Sequence, residues 1–440
     1  MERALAAARS GDRSLARAWL EPVLIAPRVS REGRARAYHL RGLLFYLDGL
    51  FVSAGQDYRR ALEFHPTLAQ ARSALAWLHL KGRGVTPDRR RAVELYRLAA
   101  RQGHVESRFN LALLLAKDGA DRRAPLEALA WFEAAAADGH TEAAALAGQM
   151  LARGQARAGL PVSPERARPL LEQAAEARHP GAQLELALLL LHSDAPAAER
   201  WLQAAADQGI ATAQSQLGHL YDSGAPGVPA DRQQALMWYR EAAKQGDTSA
   251  QSWLGWAYDT GNGVAADPRL ALRWYERAAQ RDDATAQVNL ALLHQAGRGT
   301  PRSTEQALYW FEQAAQQGET SALSGLAWLL ATARDPAVRD AQRALRLARA
   351  AVEREPSAET LDALAAALAE NGRFDDAVAT QQQAIAALDG DTQANDQVGS
   401  TARSDGVLAA YRGRLAGYRA GRPWRSGAAG GSSGAGVMND

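Results

Sequence analysis

Histidine is the side chain best suited to proton transfer or metal binding near neutral pH, so His104, His140 and His179 are the first candidates for chemistry. They recur at nearly one interval along the chain, each just after a helix-stop signal such as Gln102-Gly103. A row at that interval stacks along one edge instead of converging on a point, and it reads as a set of polar turn residues. The glycine turns Gly82-Arg83-Gly84, Gly261-Asn262-Gly263 and Gly297-Arg298-Gly299 invite a phosphate-loop reading. They lack the Lys-Ser/Thr that follows a phosphate loop, and no strand precedes them, so they read as turns between helices. No His-Glu-x-x-His, no Gly-x-Ser-x-Gly and no carboxylate cluster at ligand spacing occurs. Cysteine is absent, which removes disulfides, thiolate metal sites and cysteine nucleophiles together. No metal or cofactor is therefore expected, and an enzyme would need a site assembled from separate segments.

Composition narrows the partner class. The apolar fraction of 47% is that of a folded chain and too high for a disordered one. A net charge of +2 leaves no electrostatic footprint for nucleic acid. A basic run, Arg28, Arg31, Arg34, Arg36 and Arg41, reads as a solvated loop and helix face, or else as a local patch for an acidic partner. No apolar run is long enough for a membrane span. The first residues, Met1-Glu2-Arg3-Ala4-Leu5 followed by Arg9, Arg13 and Arg17, lack the uninterrupted apolar core of a signal peptide. The expectation is a cytoplasmic protein, or a periplasmic one if a leader precedes Met1.

The decisive feature is self-similarity. Phrases opening at Ala213, Ala250, Ala286 and Ala322 lie 37, 36 and 36 residues apart. A second phrase keeps step: Ala235-x-x-Trp238-Tyr239-x-x-Ala242-Ala243, Ala271-x-x-Trp274-Tyr275-x-x-Ala278-Ala279, and Ala307-x-x-Trp310-Phe311-x-x-Ala314-Ala315. Earlier copies start at Ala92 and Ala128. A fixed period of this size marks stacked repeats. Ala235, Trp238, Tyr239 and Ala242 share one helical face, as do Ala250, Leu254 and Tyr258. Small residues let two helices approach while Trp and Tyr fill the space between, which places Trp238, Trp274 and Trp310 in the core. Asp88, Asp267 and Thr304 are the expected caps of the second helices.

The pattern Ala-x-x-x-Leu-Gly-x-x-Tyr, Gly-x-Gly-Val, Ala-x-x-Trp-Tyr-x-x-Ala-Ala, Gln-Gly is similar to the Sel1-like repeat. The resemblance covers residues 71–335 and implies an all-α fold, an α-solenoid of stacked antiparallel helix pairs in a right-handed superhelix. Residues 37–66, with Gly42, Tyr46, Tyr58, Ala61 and Pro66, resemble a tetratricopeptide repeat, as do residues 361–388. The resulting order is an N-terminal cap and repeat over 1–70, the array over 71–335, and tetratricopeptide-like repeats over 336–390. A polar loop (389–404) and a closing helix (407–420) follow within 391–425, and a Gly/Ser-rich disordered tail occupies 426–440. Two units between 143 and 213 depart from the pattern, one with a longer loop and one with a shorter, and a local bend or joint is expected there.

Solenoids of helix pairs present the first helix of each pair on a concave face. By analogy with tetratricopeptide packing, the position two after the repeat leucine faces that groove; it holds Trp77, Leu113, Leu188, His219, Trp256, Leu292 and Trp328. Ser73, Ser215, Ser252 and Val288 lie one turn away, with Asp222, Asp259 and Gln295 on the other side. An apolar stripe with aromatic anchors and a polar rim suits a bound peptide, because buried aromatics dominate interface energy. The same residues also suit packing against a neighbouring helix. The candidate binding groove is thus Trp77, His219, Ser252, Trp256, Asp259, Gln295 and Trp328. What is known of both repeat families implies a non-enzymatic scaffold or adaptor that binds proteins or peptides. The alternatives are a periplasmic assembly factor for an envelope or exported-polymer complex and, more remotely, an enzyme.

Overall fold

The computed structural model describes residues 1–117, 123–154, 159–394 and 401–426. The chain divides into two compact units, Met1–Gln208 and Gly209–Asp440. The first holds α1 (Glu2–Arg9), α2 (Arg13–Ile25), α3 (Arg31–Leu47), α4 (Phe51–Phe64), α5 (Ala69–Lys81), α6 (Arg89–Arg101), α7 (Val105–Ala116), α8 (Ala124–Ala137), α9 (Thr141–Arg153), α10 (Pro164–Glu176), α11 (Pro180–Leu190) and α12 (Ala195–Asp207). The second holds α13 (Ala211–Ser223), α14 (Arg232–Lys244), α15 (Thr248–Thr260), α16 (Pro268–Ala279), α17 (Ala284–Ala296), α18 (Thr304–Gln316), α19 (Thr320–Thr332), α20 (Ala341–Arg354), α21 (Ala358–Glu370), α22 (Phe374–Ala394) and α23 (Thr401–Arg419). Among the described residues no β-strand forms. Within each unit, consecutive helices pack against one another, so each unit is a stack of helix pairs of the α-solenoid class.

One contact builds every regular pair. The first helix carries Gly or Ala where the second carries Tyr or Phe. A Cβ on Gly255 of α15 would sit 2.5 Å from the Tyr275 ring of α16, and one on Gly42 of α3 would sit 2.7 Å from the Tyr58 ring of α4. Where alanine takes the place of glycine, at Ala76, Ala112 and Ala291, it is fully buried. The aromatic beside it is fully buried as well, whereas Trp238, Trp274 and Trp310 are only half-buried. Those tryptophans, expected in the core, sit at its edge. Neighbouring residues on a helix point about 100° apart, so only one of each Trp-Tyr or Trp-Phe pair can face the first helix. That one is Tyr239, Tyr275 or Phe311.

A chain of amides joins one repeat to the next. Gln183, Gln251 and Gln287, all buried, donate to the carbonyls of Ala175, Ala243 and Ala279 near the end of the preceding helix. These bonds satisfy carbonyls that a helix C-terminus leaves open. The Gln at the next helix stop then donates to the first Gln's Oε1: Gln208 to Gln183 at 2.7 Å, and Gln317 to Gln287 at 2.9 Å. At Gln251 the chain breaks. Arg281 stands in the place of that second Gln and turns to the carbonyl of Gly246, and among the described residues no donor reaches the buried Gln251 Oε1.

The caps follow local chemistry with one change. Asp88 and Asp267 cap α6 and α16, but α18 is capped by Ser303, which accepts from the Gln306 amide, and Thr304 is the first helical residue. The expected polar loop over 389–404 is partly helix: α22 continues to Ala394 and α23 starts at Thr401, because a single Gly390 in a run free of proline does not stop a helix. Residues 427–440 of the expected tail lie outside the described residues. The bend expected over 143–213 would cross the boundary at Gln208, on either side of which each unit is described by itself.

Two stability outcomes follow. Gly255→Ala should destabilise by about 1–3 kcal/mol in urea unfolding, since overpacking against a fully buried ring outweighs the roughly 1 kcal/mol gain in helix propensity. An unchanged midpoint would show that the pair is not held by this contact. Arg281→Gln should stabilise by about 1 kcal/mol by giving Gln251 Oε1 a donor; a lower midpoint would show that the bond from Arg281 to Gly246 matters more.

Candidate functional site

The histidine row is resolved first. His104, His140 and His179 are helix caps: their Nδ1 atoms accept the backbone N–H of Ser107, Ala143 and Ala182 at 3.2, 3.1 and 3.0 Å. An accepting Nδ1 puts the proton on Nε2, and in His179 that group donates to Glu142 of the preceding repeat at 2.8 Å. In the second unit Asp247 and Asp283 cap α15 and α17 in the same way. Among the described residues no group of three His, Asp or Glu side chains is placed to hold a metal ion. The arginines of the basic run are partly committed within the chain. Arg41 pairs with Asp57 and Glu21, Arg36 with Glu32, and Arg31 and Arg34 donate to backbone carbonyls.

The face read from sequence as a groove is a real register. Trp77, Leu113, Leu188, Trp256, Leu292 and Trp328 are all half-buried and His219 is exposed, while the residues immediately before and after most of them are buried. Trp77 belongs to the first unit, on α5. His219, Ser252, Trp256, Asp259, Gln295 and Trp328 lie in the second, on α13, α15, α17 and α19. There α15 lies beside α17, and α17 beside α19.

The intended rim has more structural work than sequence reading assigned to it. Ser252 lies by the cap residue Asp283 and opposes the rise that burial imposes on its carboxyl. Asp259 is buried and pairs with Arg298, from the turn after α17, at 2.9 Å. Burial pushes the Asp259 carboxyl above its usual range, and Arg298 opposes that rise. Val288 and Ser215 are buried outright, and Gln295 is half-buried.

Two of the three tryptophans on this face are covered by arginines of the same chain. Arg83, from the turn after α5, lies over Trp77 at 5.4 Å and over Phe51 at 5.0 Å from the ring centroids. Arg414 of α23 lies over Trp328 at 5.0 Å and Tyr411 at 4.5 Å, and it donates Nε to the buried Asp362 at 2.8 Å. Trp256 has no such cover among the described residues. It packs against the hydrophobic clusters on both sides of it, with Trp253 at 6.0 Å between centroids. Trp253, which sequence reading did not single out, is buried, stacks on Tyr239 at 4.2 Å and donates its indole N–H to Asp222 at 3.0 Å. The signal for it was an aromatic at a position that carries Gln216, Asn289 and Gly325 in sister repeats.

The Sel1 repeat family model matches residues 35–65, 68–104, 105–140, 141–179, 180–210, 211–247, 248–283 and 284–319, more than half of the chain. The chain belongs to the Sel1 repeat family. The match takes in residues 35–65, which resembled a tetratricopeptide repeat in sequence. The chain is similar to a solved Sel1 repeat protein from Oxalobacter formigenes, at 28% identity over 69% of this chain and 89% of that one, with a TM-score of 0.54. It also matches a protective antigen of uropathogenic Escherichia coli strains with an SLR fold, at 23% identity over 90% of this chain and 96% of that one, with a TM-score of 0.48. No curated protein matches it in sequence. Sel1 repeat proteins generally mediate protein–protein interaction and are generally non-catalytic. No helix among the described residues is long and apolar enough to cross a membrane.

Two half-buried histidines of the first unit, His39 and His104, make its stability depend on pH. Burial lowers His39 to about 4, with repulsion from His104 adding to it, and His104 is itself lowered by burial. With a folded value below the ordinary 6.5, the unfolded chain takes up the proton first. Stability is therefore full above pH 6.5 and falls as pH drops towards 4. Urea unfolding should show a loss on the order of 2 kcal/mol between pH 7 and 4.5 that His39→Gln removes. An identical pH slope in wild type and variant would rule out His39 as its source.

Proposed function

We propose that this Sel1 repeat protein is a scaffold or adaptor that binds a segment of a partner protein on the first-helix face of its second unit, centred on Trp256. The observation that carries the reading is the contrast among three tryptophans of one register. All three are half-buried, but Trp77 and Trp328 each carry an arginine of the chain itself on the ring, and Trp256 carries none among the described residues, with a carboxylate, Asp222, one indole away. A half-buried indole set in a packed frame is the kind of residue that dominates binding energy when a partner completes its burial. The frame is held by bonds that need no partner: Asp259 to Arg298, and Trp253 to Asp222. Binding on such a face needs little reordering of the scaffold.

Affinity capture from the native host, comparing wild type with Trp256→Ala and Asp222→Asn, tests the reading. Each variant is first checked for an unchanged helical circular dichroism signal and melting profile. A partner recovered by wild type should fall by about tenfold or more with Trp256→Ala, as expected for an anchor worth roughly 2 kcal/mol. Equal recovery by a folded Trp256→Ala protein would move the binding surface elsewhere and overturn the assignment. A loss of melting temperature of the size of a core deletion, about 3 kcal/mol or more, would place Trp256 in the frame and not on the binding face. Asp222→Asn, at a half-exposed position, then carries the comparison alone.

A further inference from the structure

In one repeat, the turn that follows the first helix supplies the cover of its tryptophan. Arg83 stands six residues after Trp77, in Gly82-Arg83-Gly84, and folds back over that ring. The equivalent residue after Leu292 is Arg298, which pairs with Asp259. The residue six after Trp256 is Asn262, in Gly261-Asn262-Gly263. Asparagine has neither the length nor the charge to do what Arg83 does. Trp328 again receives a guanidinium, this time from Arg414 of α23, whose second contact is the buried carboxylate of Asp362. The fold thus shows twice what this register accepts: a flat cation on the indole face, in one case held also by a carboxylate.

Trp256 has no guanidinium on its face among the described residues, and a carboxylate, Asp222, lies on the far side of the neighbouring Trp253. Asp222 accepts the Trp253 indole N–H at 3.0 Å and forms no ion pair among the described residues. Trp253 in turn lies 6.0 Å from Trp256 between ring centroids. Asp259, the other carboxylate of this face, is already neutralised by Arg298. We propose that the Trp256 face receives an arginine side chain of the partner protein, its guanidinium lying on the indole and directed at Asp222. Arginine fits better than lysine because a planar guanidinium stacks on an indole while its fork addresses a carboxylate, and both precedents within the chain are arginines. This inference rests on the partner-binding reading of the Trp256 face.

The test uses the full chain with 15N-labelled indoles and the peptide acetyl-Gly-Arg-Gly-amide as the probe. The indole resonance absent from a Trp256→Phe sample should move progressively as peptide is raised, with a Kd on the order of 100 mM, the affinity of a single exposed cation–π contact with one ion pair. The citrulline peptide, which keeps the shape and loses the charge, should leave it in place. Asn262→Arg should supply the missing cation from within, as Arg83 does for Trp77, and abolish the response to the arginine peptide while the other indole resonances stay where they are. An unmoved Trp256 resonance, an equal shift with citrulline, or an undiminished shift in Asn262→Arg would each overturn the proposal. If the probe fails while capture of a partner still depends on Trp256, the arginine falls and the binding face stands. If both fail, the face itself is wrong.

Discussion

The contact between a Gly or Ala on one helix and a Tyr or Phe on the next is the constraint on which the rest of this molecule rests. It brings backbone and ring together with no Cβ between them at Gly42, Gly218 and Gly255. That approach fixes the rotation of the second helix, because the ring must point inward. Once the ring points inward, the tryptophan before it is carried to the edge, and the small Ala-Ala pair after it meets the glutamine of the next repeat. The stacking contact and the amide chain meet at the same place but vary separately: at Gly148 the partner is Leu171 and the aromatic pair is gone, yet Gln183 still donates to Ala175.

Capping shows how one register can hold different chemistry without changing the fold. The residue before a first helix is extended, and its side chain caps the helix where it is His or Asp but not where it is Leu68, Ile210 or Glu319. In the first unit the caps of α7, α9 and α11 are imidazoles. In the second unit those of α15 and α17 are carboxylates, which place charge at a helix N-terminus. The periodic histidines that first suggested chemistry are thus a structural device, and their spacing is the repeat's own.

How much of this was legible in the sequence follows from which interactions are local. The helices, their period, the glycine stops and two of three second-helix caps depend on residues a few positions apart, and they could be read directly. Which of two adjacent aromatics is buried depends on the neighbouring helix, and the Trp-Tyr pairs were misassigned for that reason. The rim was misjudged for a related one. Asp259 and Trp253 are satisfied by Arg298 and Asp222, each about one repeat away, so single-repeat patterns cannot reveal those bonds. Helix over 389–394 was missed because polarity was weighted above the absence of a breaker.

The distinction that matters for function is between residues that repeat and residues that break the repeat. Those that repeat (the small–aromatic contact, the caps, the amide chain) are accounted for by stacking and are uninformative about partners. The breaks are Arg281 in place of glutamine, Trp253 in place of a small or polar residue, and Asn262 in place of arginine. The first leaves a buried acceptor without a donor among the described residues, and the other two shape the surroundings of one indole. A solenoid holds its form by nearest-neighbour contacts, so a break in one repeat need not disturb the others. Substitutions that leave a side chain half-covered can therefore accumulate where a partner supplies the missing group, and in the second unit they gather around Trp256.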